Sequence, residues 1–509
     1  MGVRVDNEYN ILYDKETGAR LVYHGVNVVY KLSPYYPDYK GEFDPLTSFN
    51  EQDVENLHKW GFNVVRLYIA WEGTEPQDGQ FDIQYIQNIK NIVKMCKKKN
   101  IAVFLDMHQD LFSSYFCGEG LPNWATESVM SKSTLEQFPE PFDFNINRDK
   151  QGFPLIEDCH ERPFFMYYLT ENVNNISQDF MTNVGDLADK FARFWKFIAE
   201  NFKDNDNILG YEFLNEPWGG SFYKNSLEEL LPRNNNDNFL LPFYTKLNDA
   251  IREVDEETLV FFEPIVLDFI NQGFSTNVGG EEYRDREVYS YHIYCPLVNG
   301  TGAPISQIGC NIFDKYTSKG NEKNYKDIGL AGFLTEFGAL DNSEDSAKEV
   351  RRITGDAGAL FNSWTYWQYK YYNDITTAAQ NPDAEGFYFS NGELQLTKVK
   401  ALSQPYGISY CGIPIKSNFN ALTKKFTYEV QVQQSICDQQ KHSANIMFIN
   451  LDLWYPNGYK VEWQNCDDQK CSLDFTEYDT NNKYGYLSMS SNQKMEDGTV
   501  YGVSITPNK

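Results

Sequence analysis

The chain has 509 residues, 41% of them hydrophobic, which is material for more than one packed core and so for two or more domains. Its 72 acidic side chains against 45 basic ones leave a formal charge of −27, which repels phosphate backbones and excludes nucleic acid as a partner and a polybasic membrane anchor as a device. No run approaches the roughly 18 consecutive apolar residues that span a bilayer.

From about residue 20 to 370, short β-branched runs alternate with amphipathic stretches, the pattern of strand–helix units around a parallel sheet. The first strand is expected at Leu21 to Val28, followed by a helix at Asn50 to Trp60 that opens on an Asn cap. Strands at Asn63 to Ile69 and Ile101 to Met107 flank a helix at Ile83 to Lys99. Residues 111 to 180 break this rhythm with five prolines and many aromatics, and read as a long insertion after the third strand, its aromatics forming a small core of their own or an apolar groove. A helix at Asp186 to Phe202 then leads to a strand at Ile208 to Leu214, and a helix at Phe239 to Val254 to one at Thr258 to Glu263. Strands at Val288 to Tyr294, Leu330 to Thr335 and Phe361 to Trp367, with a helix at Ser346 to Gly355, complete eight units, the number that closes a (β/α)₈ TIM barrel. After Pro405 the texture becomes period-2 runs at 426–432, 444–451, 459–463 and 500–504, an all-β sandwich. The expected organisation is thus α/β, with a catalytic barrel over 1–404 and a C-terminal sandwich over 405–509 that is read as its packing partner, with sugar or lipid binding the alternative.

Nine cysteines lack metal-like spacing. Cys117 with Cys159, Cys295 with Cys310, and the four of the tail are candidates for disulfides, and sequons stand at Asn175 and Asn299. Met1 to Asp6 carries neither a signal h-region nor a myristoylation motif. The expected compartment is secreted or endolysosomal with the leader removed, the cytosol being the alternative.

The chemistry concentrates at strand ends. Gly210-Tyr-Glu-Phe-Leu-Asn-Glu-Pro-Trp218 and Gly332-Phe-Leu-Thr-Glu-Phe-Gly338 each bring a glutamate to the carboxyl end of a strand, where barrel chemistry sits. Two carboxyls about 5 to 5.5 Å apart suffice for a retaining glycosidase, one protonating the leaving oxygen and the other attacking the anomeric carbon. Glu216 is the candidate acid and Glu336 the candidate nucleophile. Burial and the neighbouring Glu336 are expected to raise the pKa of Glu216, while Arg66 and Tyr294 hold Glu336 ionised.

Arg66, His108, Asn215-Glu216, His292, Tyr294, Glu336 and Trp367 occur in the order found in clan A retaining glycosidases, and the chain resembles glycoside hydrolase family 5. His24-Gly-Val-Asn-Val-Val-Tyr-Lys31, Asp106-Met-His-Gln-Asp110 and Leu121-Pro-Asn-Trp-Ala125, together with the β tail, resemble its endoglycoceramidases. That resemblance implies cleavage of the β-linkage between glucose and ceramide in a glycosphingolipid, with no metal or cofactor, by a monomer that meets its substrate at a membrane or micelle surface. Asn215 is expected on the sugar 2-hydroxyl, Trp367 under a pyranose ring, and Lys31 and Asp110 on other hydroxyls, with His108 and His292 orienting their neighbours. Simpler readings stand beside these: Trp367 as core, Lys31 as a surface lysine, Asp110 as a helix cap, His24 as an interior histidine. The competing functions are a β-glucanase or steryl β-glucosidase of the same family, and a silent glycolipid-binding protein.

Overall fold

The structure, a computed structural model, describes residues 2–508 apart from 136–140, 142–143, 145, 267, 269, 378–380, 438–444 and 478–483. Parts of the expected insertion and the first residue of the expected run at 444–451 therefore lie outside the described residues.

Eight parallel strands close the barrel in the order β7-β8-β1-β2-β3-β4-β5-β6. They are β1 His24–Val28, β2 Val64–Tyr68, β3 Ala102–Asp106, β4 Ile208–Glu212, β5 Leu259–Phe262, β6 Glu287–Ile293, β7 Ala331–Phe337 and β8 Ser363–Tyr366. Near-continuous burial along each strand is what a sheet covered by helices outside and filled by side chains inside requires. Phe104, Phe261 and Phe333 meet in the lumen at centroid separations of 4.9, 5.3 and 5.6 Å, an apolar plug on which the polar upper layer rests.

The helix starts follow local chemistry. Asn50 caps Glu51–Lys59 through a reciprocal bond pattern with Asp53, and Asp82 caps Ile83–Lys97. Ser343, not Ser346, caps Glu344–Ala359, so that helix begins two residues earlier than the apolar pattern indicates.

Three expectations are corrected. The run from Leu21 to Val28 is two strands: Arg20–Leu21 pairs with the tail, and only His24–Val28 enters the barrel. Residues 2–21 are not barrel units at all. Strands Val3–Asp6, Ile11–Asp14 and Arg20–Leu21 extend a seven-stranded sheet of the tail, and Val3, Val5 and Leu12 pack beneath the barrel floor against Phe104, Leu209 and Phe333. The insertion's Phe112, Phe116, Tyr167 and Phe180 join the core around the barrel rather than a separate one.

The tail pairs this sheet with a four-stranded one, Ile413–Asn420, Lys425–Gln431, Val500–Pro507 and Tyr459–Gln464, over a core that includes Phe426, Tyr428, Phe448 and Tyr501. His24 lies between Trp364 and Tyr406, stacked on both at 4.2 and 3.7 Å, which makes it an interior contact between barrel and tail. Disulfides join Cys117–Cys159, Cys295–Cys310, Cys411–Cys437 and Cys466–Cys471, and Cys96 is a buried thiol. Asn299 lies in an exposed turn, whereas Ser177 of the other sequon is buried in the helix Glu171–Met181.

Candidate active site

All ten candidate residues gather at the carboxyl end of the barrel. Arg66, near the middle of β2, is fully buried and organises the polar layer above the phenylalanine plug. Its guanidinium donates to Glu336 Oε1 at 2.6 Å, to Asn215 Oδ1 at 2.9 Å, to Asn27 Oδ1 at 3.1 Å and to Glu212, and lies 3.0 Å from Asp106. Burial alone disfavours its charge, but Asp106, Glu212 and Glu336 more than offset this and raise its pKa well above the usual value.

Glu336 reaches the site through a local irregularity. Leu334 pairs with Tyr291 and Glu336 with His292, so Thr335 is an extra residue in β7. Such a bulge re-aims the following side chain, and here it sets Glu336 opposite His292. Tyr294 donates to Glu336 Oε2 at 2.8 Å, completing a cationic and a phenolic partner for the two oxygens. Burial pushes the Glu336 carboxyl up, and His292, Arg66 and the Tyr294 hydrogen bond oppose that rise.

Glu216 follows β4 in a left-handed conformation, with φ of 39°. This backbone is strained for a residue with a side chain, and its N–H is held by the buried carboxylate of Glu263 at the end of β5. Oε1 of Glu216 lies 2.8 Å from His292 Nδ1, and the other ring nitrogen lies 3.5 Å from Glu263. Burial, then the charge of Asp110, raises Glu216 to about 7. The expected direction holds, but the second cause is Asp110 where the sequence reading named Glu336.

A carboxylate oxygen of Glu216, one of Glu336 and a ring nitrogen of His292 all lie within 4.8 Å of one another. This agrees with the roughly 5 to 5.5 Å of a retaining pair and not with the roughly 6.5 to 9.5 Å that leaves room for an inverting water.

Beside this pair lies a second cluster. Lys31 is buried, with Nζ 2.9 Å from Asp110, 2.8 Å from Asp374, 3.4 Å from Glu119 and 2.6 Å from Thr376 Oγ1, so it is not a surface lysine. Burial would lower its pKa; the carboxylates of Asp110, Asp374 and Glu119 overcome that and hold it well above the usual value. Asp110 is therefore an ion-pair partner and not a helix cap, and its carboxyl is depressed despite burial by Lys31 and His108. His108 bridges the clusters, bonded to Asp106 at 2.9 Å and stacked on the Trp367 ring at 4.9 Å. The amide of Asn215 is fixed by Arg66 and by its own bond to the Gln109 carbonyl at 3.2 Å.

Asp106, Glu119, Glu212, Glu263, Asp374 and Thr376 were missed as site residues. Asp106, Glu212 and Glu263 sit at strand ends like the recognised pair, which is a signal that position alone supplies. Asp374 and Thr376 lie in a loop beyond β8, and nothing local marks them.

At Glu216 a cavity of about 240 Å³ opens, lined by Glu216, His292 and Tyr294 together with Ile265, Val266 and Phe313. Its apolar lining, Pro264, Ile265, Val266 and Phe313, comes from the loop after β5 and the helix Gln307–Asp327, which also bring Asp268, Asn271, Thr317 and Asn321. The insertion at 111–180, expected to form that lining, contributes none of its described residues.

Paired carboxylates this close, on the rim of a parallel barrel, are the equipment of retaining glycoside hydrolases. The chain belongs to glycoside hydrolase family 5. Residues 40–373 match the cellulase model of that family and residues 404–505 its family 5 C-terminal domain. The chain is 33% identical over 461 residues to an endoglycoceramidase of Hydra vulgaris, covering 90% of this chain and 83% of the relative. It is 31% identical over 460 residues to an endoglycoceramidase of Cyanea nozakii, covering 90% and 86%. Among solved structures, endo-glycoceramidase II from Rhodococcus sp. shares the fold along the whole of both chains, with a TM-score of 0.72 at 21% identity.

Proposed function

We propose that the protein is an endoglycoceramidase: a retaining endo-β-glycosidase that cleaves the bond between glucose and ceramide in glycosphingolipids, releasing intact oligosaccharide and ceramide. The observation that carries this reading is a cavity with two characters. Glu216, His292 and Tyr294 bring polar and titratable groups, and Pro264, Ile265, Val266 and Phe313 bring apolar ones, to a single cavity, a mixed lining that suits a substrate with a sugar and a lipid part. A glucan chain would ask for polar, stacking surfaces on both sides of the scissile bond. Kinship with endoglycoceramidases over most of both chains supports the same reading.

The geometry distributes the work. Arg66 and Tyr294 favour negative charge on Glu336, which attacks the anomeric carbon while the protonated Glu216 delivers its proton to the ceramide oxygen. Glu216, then a base, activates water to free the glycan from Glu336. Asn215, fixed by Arg66 and Gln109, holds the 2-hydroxyl, an interaction that strengthens as the ring approaches an oxocarbenium ion. Trp367, with Lys31 Nζ 5.0 Å from its ring centre, and the Lys31–Asp110 pair shape the sugar side. The proposal includes action as a monomer, and four disulfides support an oxidising, secretory or endolysosomal setting.

The test is incubation with a ganglioside, with glucosylceramide and with a soluble β-glucan. Free oligosaccharide and ceramide from the ganglioside carry the proposal; turnover of the glucan alone sinks it.

A further inference from the structure

The helix Gln307–Asp327 is built inside out. Toward the barrel it buries Cys310, Asp314, Ser318, Asn321, Asn324 and, near its end, Tyr325, while Ile308, Ile312 and Tyr316, two steps of four residues along one stripe, are 75, 66 and 52% exposed. An ordinary surface helix turns its apolar stripe to the core, so this stripe is spare. Ile305, in the segment before the helix, adds a further apolar side chain that is 66% exposed. From Gln307 to Gly320 the charged side chains at the surface are Lys315 and Lys319 alone, because Asp314 is buried against Arg352. In a chain of net charge −27 this is a local reversal of sign.

The same helix lines the catalytic cavity. Phe313, Thr317 and Asn321 face the space that Glu216, His292 and Tyr294 border. The disulfide Cys295–Cys310 ties the first turn of the helix to the residue after Tyr294, so the exposed stripe is fixed relative to the acid and the nucleophile's phenol partner.

We infer that the Ile308, Ile312 and Tyr316 stripe of this helix seats on the surface of a zwitterionic phospholipid bilayer, its apolar side chains entering the boundary between head groups and acyl chains and Lys315 and Lys319 meeting lipid phosphate. Apolar stripe and lysines together are the composition of helices that lie in that boundary, and the same helix reaches the cavity at Glu216 through Phe313. The inference rests on the glycolipid reading above and names the surface on which that substrate is met.

The experiment uses the whole protein and vesicles of phosphatidylcholine without glycolipid. Wild type sediments with the vesicles, and a triple Ile308→Ser, Ile312→Ser, Tyr316→Ser variant loses about tenfold or more in binding, as the buried apolar area sets the affinity. Its melting temperature and its turnover of a soluble aryl cellobioside stay at the wild-type level, since none of the three side chains touches the site. Equal binding by the variant overturns the inference, as does a wild type that ignores vesicles, or a wild-type dimer that the variant dissolves. Failure of the glycolipid reading is a separate result: vesicles are bound but no ganglioside is cleaved.

Discussion

His292 Nδ1 stands 2.8 Å from Glu216 Oε1, and the charge state of this pair follows from burial. Burial lowers the imidazole's pKa and raises Glu216 to about 7, and both shifts favour the neutral pair, in which the carboxyl donates to Nδ1. The ring hydrogen then sits on Nε2, facing Glu263 at 3.5 Å. Glu263 accepts the Glu216 backbone N–H, so this buried carboxyl steadies the main chain of the acid, while His292 Nε2 makes no hydrogen bond to it.

Glu263 is therefore a positioning residue. Burial beside Glu212 and Glu216 pushes its own pKa well up, so a neutral amide is a close substitute. Glu263→Ala leaves the strained Glu216 backbone without its acceptor and is expected to lower kcat by about 10- to 100-fold with KM little changed. Glu263→Gln, which keeps an acceptor oxygen, recovers most of that loss. Equal losses in the two variants would return Glu263 to a purely structural role.

The pH profile reports the acid. Glu216 must carry its proton, so kcat/KM falls as pH rises through about 7. Asp110 raises this pKa through its charge, and Lys31 lowers it. In Asp110→Asn the raising charge is gone and the lowering one is less compensated, so both changes move the basic limb toward lower pH. A limb that stays in place would show that burial alone sets the value.

Much of this site was legible because the residues share a position. His108, Asn215, Glu216, Tyr294, Glu336 and Trp367 each follow or close an apolar run, and a barrel's strand ends converge wherever the runs lie in the chain; Arg66, inside its run, stands out as a charge among apolar neighbours. What strand-end logic cannot supply is partnership between distant loops: Lys31 is held by Asp374 and Thr376, more than 300 residues on, and its burial is invisible until β1 and β8 are neighbours. Leu21 was counted with the first barrel strand because Leu21 and His24 lie in one apolar run; the break between them, which sends Leu21 to the tail, has no Gly or Pro to mark it. The helix Gln307–Asp327 was passed over for a related reason. Its inward side is polar, so the usual apolar period is displaced to the outside.

Replacing either glutamate separates chemistry from binding. Glu336→Ser and Glu216→Ala are expected to lose roughly 10⁴-fold in kcat with KM within a few-fold, because their interactions are made in the transition state. Glu216→Ala should lose least on an aryl glycoside whose leaving group needs no proton. NMR of the sugar immediately after mixing wild type with substrate should show the β anomer first. An α product would contradict a separation within 4.8 Å.

Lys31 tests the second cluster on two measurements at once. Its ammonium compensates Asp110, Asp374 and Glu119 in a region closed to water, so Lys31→Met leaves buried carboxylates unpaired, a change that typically costs about 3 to 5 kcal/mol. A lower melting temperature is the first expected result. The second is kinetic: with Asp110 no longer pinned at 2.9 Å, the sugar side loses its shape and KM for glycolipid rises. The double variant Lys31→Met with Asp374→Asn removes one orphaned charge and should regain part of the stability without regaining KM. If stability and KM recover together, Lys31 serves the fold alone; if neither changes in the single variant, the cluster is not the ion-paired unit its distances describe.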